Sequence, residues 1–245
     1  MLRLDKFLAD QGLASRREIR EWIRSGRVSV DGSPVREPER KVDPERDQVA
    51  VDAKPVSAQR FHTFMMDKPL GVVTATEDAS QKTVLDLLPP EMRRMGLFPV
   101  GRLDKDTSGL LLLTNDGDLS HRVISPRSAV EKRYYARVEG KLDTEDVTAF
   151  QKGLVLGDGT QCLPALLEIV DESSCTVTVT EGKYHQVRRM LASRGKPVQT
   201  LRRISIGDLS LGEELKAGEW KELTEEDLCR VFKSDSMGIL SKNEV

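Results

Sequence analysis

The sequence predicts an α+β fold: a largely antiparallel mixed sheet flanked by helices, preceded by a small separate N-terminal unit. Three observations carry that reading. Short alternating apolar segments at 63–66, 130–138, 166–170 and 176–180 have the period of strands. Segments near 84–88, 119–124, 144–152 and 185–194 read as helices between them. Residues 1–58 carry a complete helix–helix–hairpin pattern of their own. The expected division is therefore 1–58, 59–234 and a frayed tail at 235–245, with a linker near 53–60.

In the N-terminal unit, Leu4, Phe7 and Leu8 recur at helical spacing, and Gly12 ends that helix. Ser15-Arg16-Arg17-Glu18 matches a capping box, in which hydroxyl and carboxylate satisfy each other's free backbone N–H groups. Ile19, Trp22 and Ile23 form the apolar side of a second helix, which Gly26 stops. Val28 and Val30 alternate into Asp31-Gly32, a two-residue hairpin signal. Arg16, Arg20, Arg24 and Arg27 step along one face of the second helix, with Arg17 beside them. A solvated face would explain the stripe, and so would contact with phosphate, which suits the guanidinium fork.

The chain has 245 residues and a net charge of −2, too balanced for a wholesale nucleic-acid coat. The distribution is uneven. Residues 181–204 carry seven Lys/Arg against one acidic residue, and residues 205–245 carry five against ten. Such asymmetry fits a polyanion held at chosen patches. No apolar stretch reaches the length of a membrane span, and the N-terminus has no apolar signal region. Cys162, Cys175 and Cys229 lack metal or redox spacing, which suits a reducing cytoplasm.

The most informative run is Gly101-Arg102-Leu103-Asp104-Lys105-Asp106-Thr107-Ser108-Gly109-Leu110. It is a polar, Gly-bounded loop feeding the apolar run Leu110 to Leu113, which reads as a fully buried strand. A rigid strand behind such a loop can hold a reactive group beside a cleft. Four further clusters stand out: Lys68-Pro69-Leu70-Gly71, Asn115-Asp116-Gly117, Lys132-Arg133-Tyr134, and Glu181 to Met190 followed by Leu201-Arg202-Arg203-Ile204. Each has a plain reading as well. Lys68 to Gly71 reads as a turn, Asn115-Asp116-Gly117 as a hairpin, Tyr134 as core, and His185 as a structural histidine. Lys105 and Arg102 bring positive charge to the loop and speak against a metal at Asp104 and Asp106. Ser108 lacks a nucleophile elbow, and no Gly-rich phosphate loop or dinucleotide fingerprint is present. A carboxylate with arginine and tyrosine partners remains. It can act as nucleophile or base without a cofactor, beside a ring that stacks on a nucleobase.

Two resemblances now follow. Leu4-Asp5-Lys6-Phe7-Leu8, Gly12, Ser15-Arg16-Arg17, Ile23, Gly26-Arg27-Val28 and Val30-Asp31-Gly32 resemble the S4 RNA-binding module, a small α/β domain. The loop around Asp104 is similar to the signature of the pseudouridine synthases. With Lys68-Pro69-x-Gly71, Leu-Thr-Asn-Asp-Gly, Glu-Lys-x-Tyr, Glu-Gly-Lys-Tyr-His-Gln-Val-Arg-Arg-Met and Leu-x-Arg-x-x-Ile-Gly in order, it resembles their RsuA/RluB-type branch over about residues 2–232. Asp67 departs from the asparagine expected before Lys-Pro.

The resemblance implies the pseudouridine synthase fold and an isomerase. A uridine in RNA is cut at its C1′–N1 bond, and the base rotates and rejoins through C5, without cofactor or metal. Asp104 matches the essential aspartate, and Arg188 the basic residue that pairs with it. Tyr134 matches the tyrosine that packs on the base and assists loss of the C5 proton, and Leu201 lies by the base pocket. Arg102, Lys68, Arg16, Arg17, Arg20 and Arg24 are expected to contact RNA. The branch's small-subunit members, which modify uridine 516 of 16S rRNA, look nearest; the alternatives are a large-subunit 23S rRNA member or a non-catalytic S4-type RNA-binding regulator, against which the intact Asp104, Tyr134 and Arg188 count. The expected partner is 16S rRNA or a 30S assembly intermediate, met by a cytoplasmic monomer with no membrane contact.

Overall fold

The structure is a computed structural model that describes residues 1–59 and 61–232. The tail expected at 235–245 lies outside the described residues. The chain divides into two compact units. One comprises Met1–His62 with Leu85–Phe98, and the other Thr63–Val84 with the chain from Pro99 onward.

The first unit contains β1 (Leu2–Arg3), α1 (Leu4–Asp10), α2 (Arg16–Arg24), β2 (Val28–Val30), β3 (Ser33–Pro34), β4 (Lys41–Val42), β5 (Val49–Val51) and β6 (Lys54–Pro55). Leu4, Phe7, Leu8, Ile19 and Ile23 from the helices close on Val28, Val30 and Val49 in one core. The capping box forms as expected: the Ser15 hydroxyl accepts from the Glu18 amide at 3.3 Å, and Glu18 accepts from the Ser15 amide at 2.9 Å. Asp31 and Gly32 both take positive φ between β2 and β3, as a primed two-residue turn requires. The stretch near 53–60, expected as a linker, is partly strand. β6 pairs with β5, and the Val56 amide bonds the Val49 carbonyl. The segment Leu85–Phe98 also belongs to this unit and contains the unforeseen α3 (Pro90–Arg94), with β8 (Phe98–Pro99) at its end. Its Leu88, Met92 and Leu97 are buried, and a side chain at Gly12 would collide with the Glu91 carbonyl at 2.4 Å.

The second unit is built on a mixed sheet. Its elements are β7 (Thr63–Lys68), β9 (Thr107–Thr114), α4 (Gly117–Ile124), β10 (Lys132–Val138), α5 (Thr144–Lys152), β11 (Leu166–Asp171), β12 (Ser174–Val179), α6 (Gln186–Ser193), β13 (Val198–Ile206), β14 (Leu209–Ser210), β15 (Trp220–Glu222) and α7 (Glu225–Val231). The strand order is β11-β12-β10-β13-β9-β7-β15, and the β13–β9 pair is parallel while the other neighbours run antiparallel. β9 lies between β7 and β13, so Leu110 to Leu113 are fully buried on both faces. Gly109 on that strand has φ +103° and faces Arg203 across the parallel pair, where a Cβ would meet the Arg203 carbonyl at 2.2 Å. Only glycine lets the two strands approach there.

Two cores flank the site. Phe150 of α5 and Val187, Met190 and Leu191 of α6 pack on β10, β12 and β13. Leu119 and Val123 of α4 pack with Met65, Leu110, Leu112, Ile206 and Leu223. The hairpin expected at Asn115-Asp116-Gly117 is instead a helix start. The Asp116 carboxylate accepts from the amides of Asp118 at 2.9 Å and Leu119 at 3.1 Å, capping α4. Among the described residues no helix is long and apolar enough to cross a membrane.

Candidate active site

The loop before β9 is tied down at every carbonyl from residue 103 to 107. The Thr74 hydroxyl donates to the Leu103 carbonyl at 2.7 Å. The Lys68 amine donates to the carbonyls of Asp104 at 3.1 Å and Thr107 at 2.8 Å. The Gly71 amide reaches the Lys105 carbonyl at 2.8 Å, and Arg188 reaches that of Asp106 at 2.8 Å. A loop with no spare backbone acceptor has little freedom to shift. The Asp104 side chain, 31% exposed, is therefore presented from a fixed frame.

Lys68 itself has no exposed surface. Burial pushes its amine down to about 8, while the charges of Asp104 and Asp106 act in the opposite direction. A group so enclosed cannot touch a polynucleotide, so the expected RNA contact of Lys68 is corrected to a loop brace. The Lys68-Pro69-Leu70-Gly71 turn looks the same in the sequence for either role.

Arg188 is also placed differently from the expected pairing with Asp104. Its guanidinium lies 3.1 Å from the carboxylate of Asp106, on the same side as its bond to that residue's carbonyl. The reason is geometric: two acceptors of one residue satisfy one guanidinium edge. Its Nε is buried with no hydrogen-bond partner. The group nearest the Asp104 carboxylate is instead His185, whose Nε2 lies 3.3 Å away. His185 caps α6 with a left-handed backbone, φ +47°, and its ring stacks on Tyr184 at 3.9 Å. Reading His185 as a structural histidine missed this. Its place inside the basic motif was the available signal. Glu181 and Gln186 of the same motif are internal supports: Gln186 donates to Glu181 at 2.8 Å and accepts from the Lys183 amide at 2.9 Å.

Asp104, Tyr134, Leu201, Arg102 and His185 line one recess. It opens into a cleft of about 1010 Å³ that also takes in Lys132, Tyr184 and Arg203. Leu201 is buried and Arg102 exposed at the rim. Tyr134 lies on β10 opposite Arg203 of β13, whose guanidinium carbon is 6.0 Å from the ring centre. The recess thus joins a carboxylate, an aromatic ring and an apolar wall. It suits a planar base attached to a sugar.

Asp67 explains its own departure from asparagine. It is buried and accepts two bonds from Arg202, at 3.0 and 2.8 Å, so the side chain carries a charge that a guanidinium matches. In the first unit the arginine stripe is partly engaged. Arg20 and Arg16 lie 2.9 and 3.5 Å from the fully buried Asp5. Burial pushes Asp5 up, but bonds from Arg3 and Arg20 outweigh it and hold the group at about 2. Arg27 pairs with Asp52 and Arg17 with Glu21. Arg24 is exposed. The outer edges of these guanidinium groups stay open to solvent.

Among the described residues no group of three or more His, Cys, Asp or Glu side chains could hold a metal ion. Comparison with known proteins bears on the same residues. The RNA pseudouridylate synthase family matches residues 62–193, and the S4 domain matches residues 2–56. The chain is 46% identical over 231 residues to the uncharacterized RNA pseudouridine synthase YtzG of Bacillus subtilis (strain 168), covering 93% of this chain and 97% of that one. It is 41% identical over 232 residues to ribosomal small subunit pseudouridine synthase A of Escherichia coli (strain K12), covering 94% and 100%. A crystal structure of a pseudouridylate synthase superposes with a TM-score of 0.67 at 34% identity, over 94% of this chain and 100% of that one. With its cleft, its braced aspartate loop and an S4 domain ahead of them, this chain belongs to the RNA pseudouridine synthase family.

Proposed function

We propose that the chain isomerises one uridine of ribosomal RNA, uridine 516 of 16S rRNA, in the free RNA or in a 30S assembly intermediate. The single supporting observation is the frame around Asp104: five consecutive carbonyls held, with the carboxylate turned into a cleft that Tyr134 shares. The target nucleotide must leave its stack to reach that depth, at a cost of a few kcal/mol. Phosphate contacts from Arg16, Arg17, Arg20, Arg24 and the Arg102 rim offset this cost. Asp104 then acts at the sugar, either attacking C1′ or removing a sugar proton, as the C1′–N1 bond breaks. Tyr134 packs against the freed base and assists loss of the C5 proton, and Leu201 closes the apolar side. Arg188 serves the carboxylate through the loop, by holding Asp106.

The small-subunit assignment rests on the likeness to the Escherichia coli relative. It is tested by incubating the protein with C5-tritiated 16S transcript or immature 30S particles and mapping the product. Tritium release and pseudouridine at one 16S position are expected. Modification confined to 23S rRNA would overturn the assignment. Asp104→Asn should bind the RNA and release no tritium. Product formation at the wild-type rate would remove Asp104 from the reaction.

A further inference from the structure

Two cations line the cleft without a counter-ion among the described residues. Lys132 is 8% exposed and its amine makes no hydrogen bond or ion pair with them, and Arg203 is 4% exposed. Arg203 spends its Nε on the Leu110 carbonyl at 2.7 Å, and its Nη2 is buried without a partner. Lys132 and Tyr134 are two residues apart on β10 and share a face. Arg203 faces Tyr134 across the strand pair, so all three line the same cleft. The carboxylates that line it are engaged elsewhere: Glu181 by Gln186 and Lys183, Asp106 by Arg188, Asp104 by His185, and Asp78 by the amides of Ser80 and Gln81. A buried charge with no partner is costly and is kept where it meets charge that develops during turnover. Burial, and next the charge of Arg203, push the Lys132 amine down to about 8, so it still carries its proton at neutral pH.

We propose that Lys132, backed by Arg203, is a catalytic residue that stabilises the negative charge on the uracil ring when the C1′–N1 bond breaks. The inference rests on the isomerisation described above. The bonding pair leaves with N1, and the ring holds one negative charge spread over N1, O2 and O4. Then C5 bonds to C1′, C5 gives up its proton, and N1 gains one. No oxidant, reductant or second substrate enters. Both cations lie beside the Tyr134 ring, where a stacked planar base would sit, rather than among the exposed arginines that meet backbone phosphate.

The test uses Lys132→Met and Lys132→Arg in the full chain, with rRNA from cells lacking the gene and the same RNA transcribed with 5-fluorouridine. For Lys132→Met the single-turnover rate at saturating RNA should fall about 100-fold, the loss seen when one transition-state donor is removed. KM and its salt dependence should stay unchanged. Lys132→Arg should recover most of the rate. Fluorine makes N1 a better leaving group, so the gap between Lys132→Met and wild type should narrow on the fluorinated RNA, read as 5-fluorouridine consumed. Thermal unfolding should show Lys132→Met at least as stable as wild type, since the variant removes a buried unpaired charge. A raised KM with a shallower salt dependence would make Lys132 a phosphate contact and overturn the proposal. So would an unchanged rate, or a gap that stays constant on fluorinated RNA. If wild type itself leaves the RNA unmodified, the substrate assignment falls instead.

Discussion

Replacing Lys68 by methionine keeps an unbranched apolar stem and removes three donated bonds, to the carbonyls of Pro69, Asp104 and Thr107. The loop carrying Asp104 would lose its central anchor. A displacement of about 1 Å at a reacting group costs on the order of 100-fold in rate. The single-turnover rate is therefore expected to fall by about that factor, while KM for RNA stays put, because Lys68 has no surface to offer. Stability carries a second signature. The amine titrates at about 8 in the fold against 10.5 when free. Below about 8 both states hold the proton, and the fold bears the whole cost of burying it. Between 8 and 10.5 the unfolded chain binds more protons, so wild-type stability rises with pH, by about 3 kcal/mol in all for this group. Lys68→Met lacks that gain. Urea midpoints of both proteins at pH 7.5 and 10 would show the wild type gaining on the variant. A variant with raised KM and an intact rate would return Lys68 to the RNA surface and refute the bracing role.

Three other outcomes can be checked. If Arg188 acts through Asp106, Arg188→Ala and Asp106→Ala should each lower the rate and the double variant should be no worse than either. Additive losses in that cycle would separate the two residues. Gly109→Ala forces a Cβ to 2.2 Å from the Arg203 carbonyl at a positive φ, so a loss of about 3 kcal/mol or more is expected in the denaturant midpoint, and a change below 1 kcal/mol would contradict the close strand approach. Prolonged dialysis against EDTA should leave tritium release unchanged, and restoration of a lost rate by a divalent ion would show a metal requirement.

Much of the fold was legible because its signals are local. The capping box at Ser15, the Asp31-Gly32 turn and the helix Thr144–Lys152 each follow from a few adjacent residues. Leu110 to Leu113 identified a buried strand, although not that β13 would run parallel beside it. What failed depended on distant partners. Asp116 is the exception: Asn-Asp-Gly fits a turn or a helix cap, and its cap bonds are local, to the amides of Asp118 and Leu119. Lys68, Arg188 and His185 were each visible as polar residues in motifs. Which of them faces the cleft, which holds the loop and which meets Asp104 is settled by packing between segments far apart in sequence. The segment Leu85–Phe98 was assigned by continuity, which does not reveal that the chain returns to the first unit.

That return has a practical bearing on how the protein can be divided. A fragment starting after residue 58 keeps Leu85–Phe98 but discards Gly12 and its neighbours. The Arg94 bond to the Gly12 carbonyl at 3.3 Å and the close fit of Gly12 against Glu91 would be lost with them. Clean dissection would need Leu85–Phe98 to travel with the first unit. One cut in the chain near residue 60 therefore does not separate the two units, because part of the first is encoded some twenty-five residues beyond it.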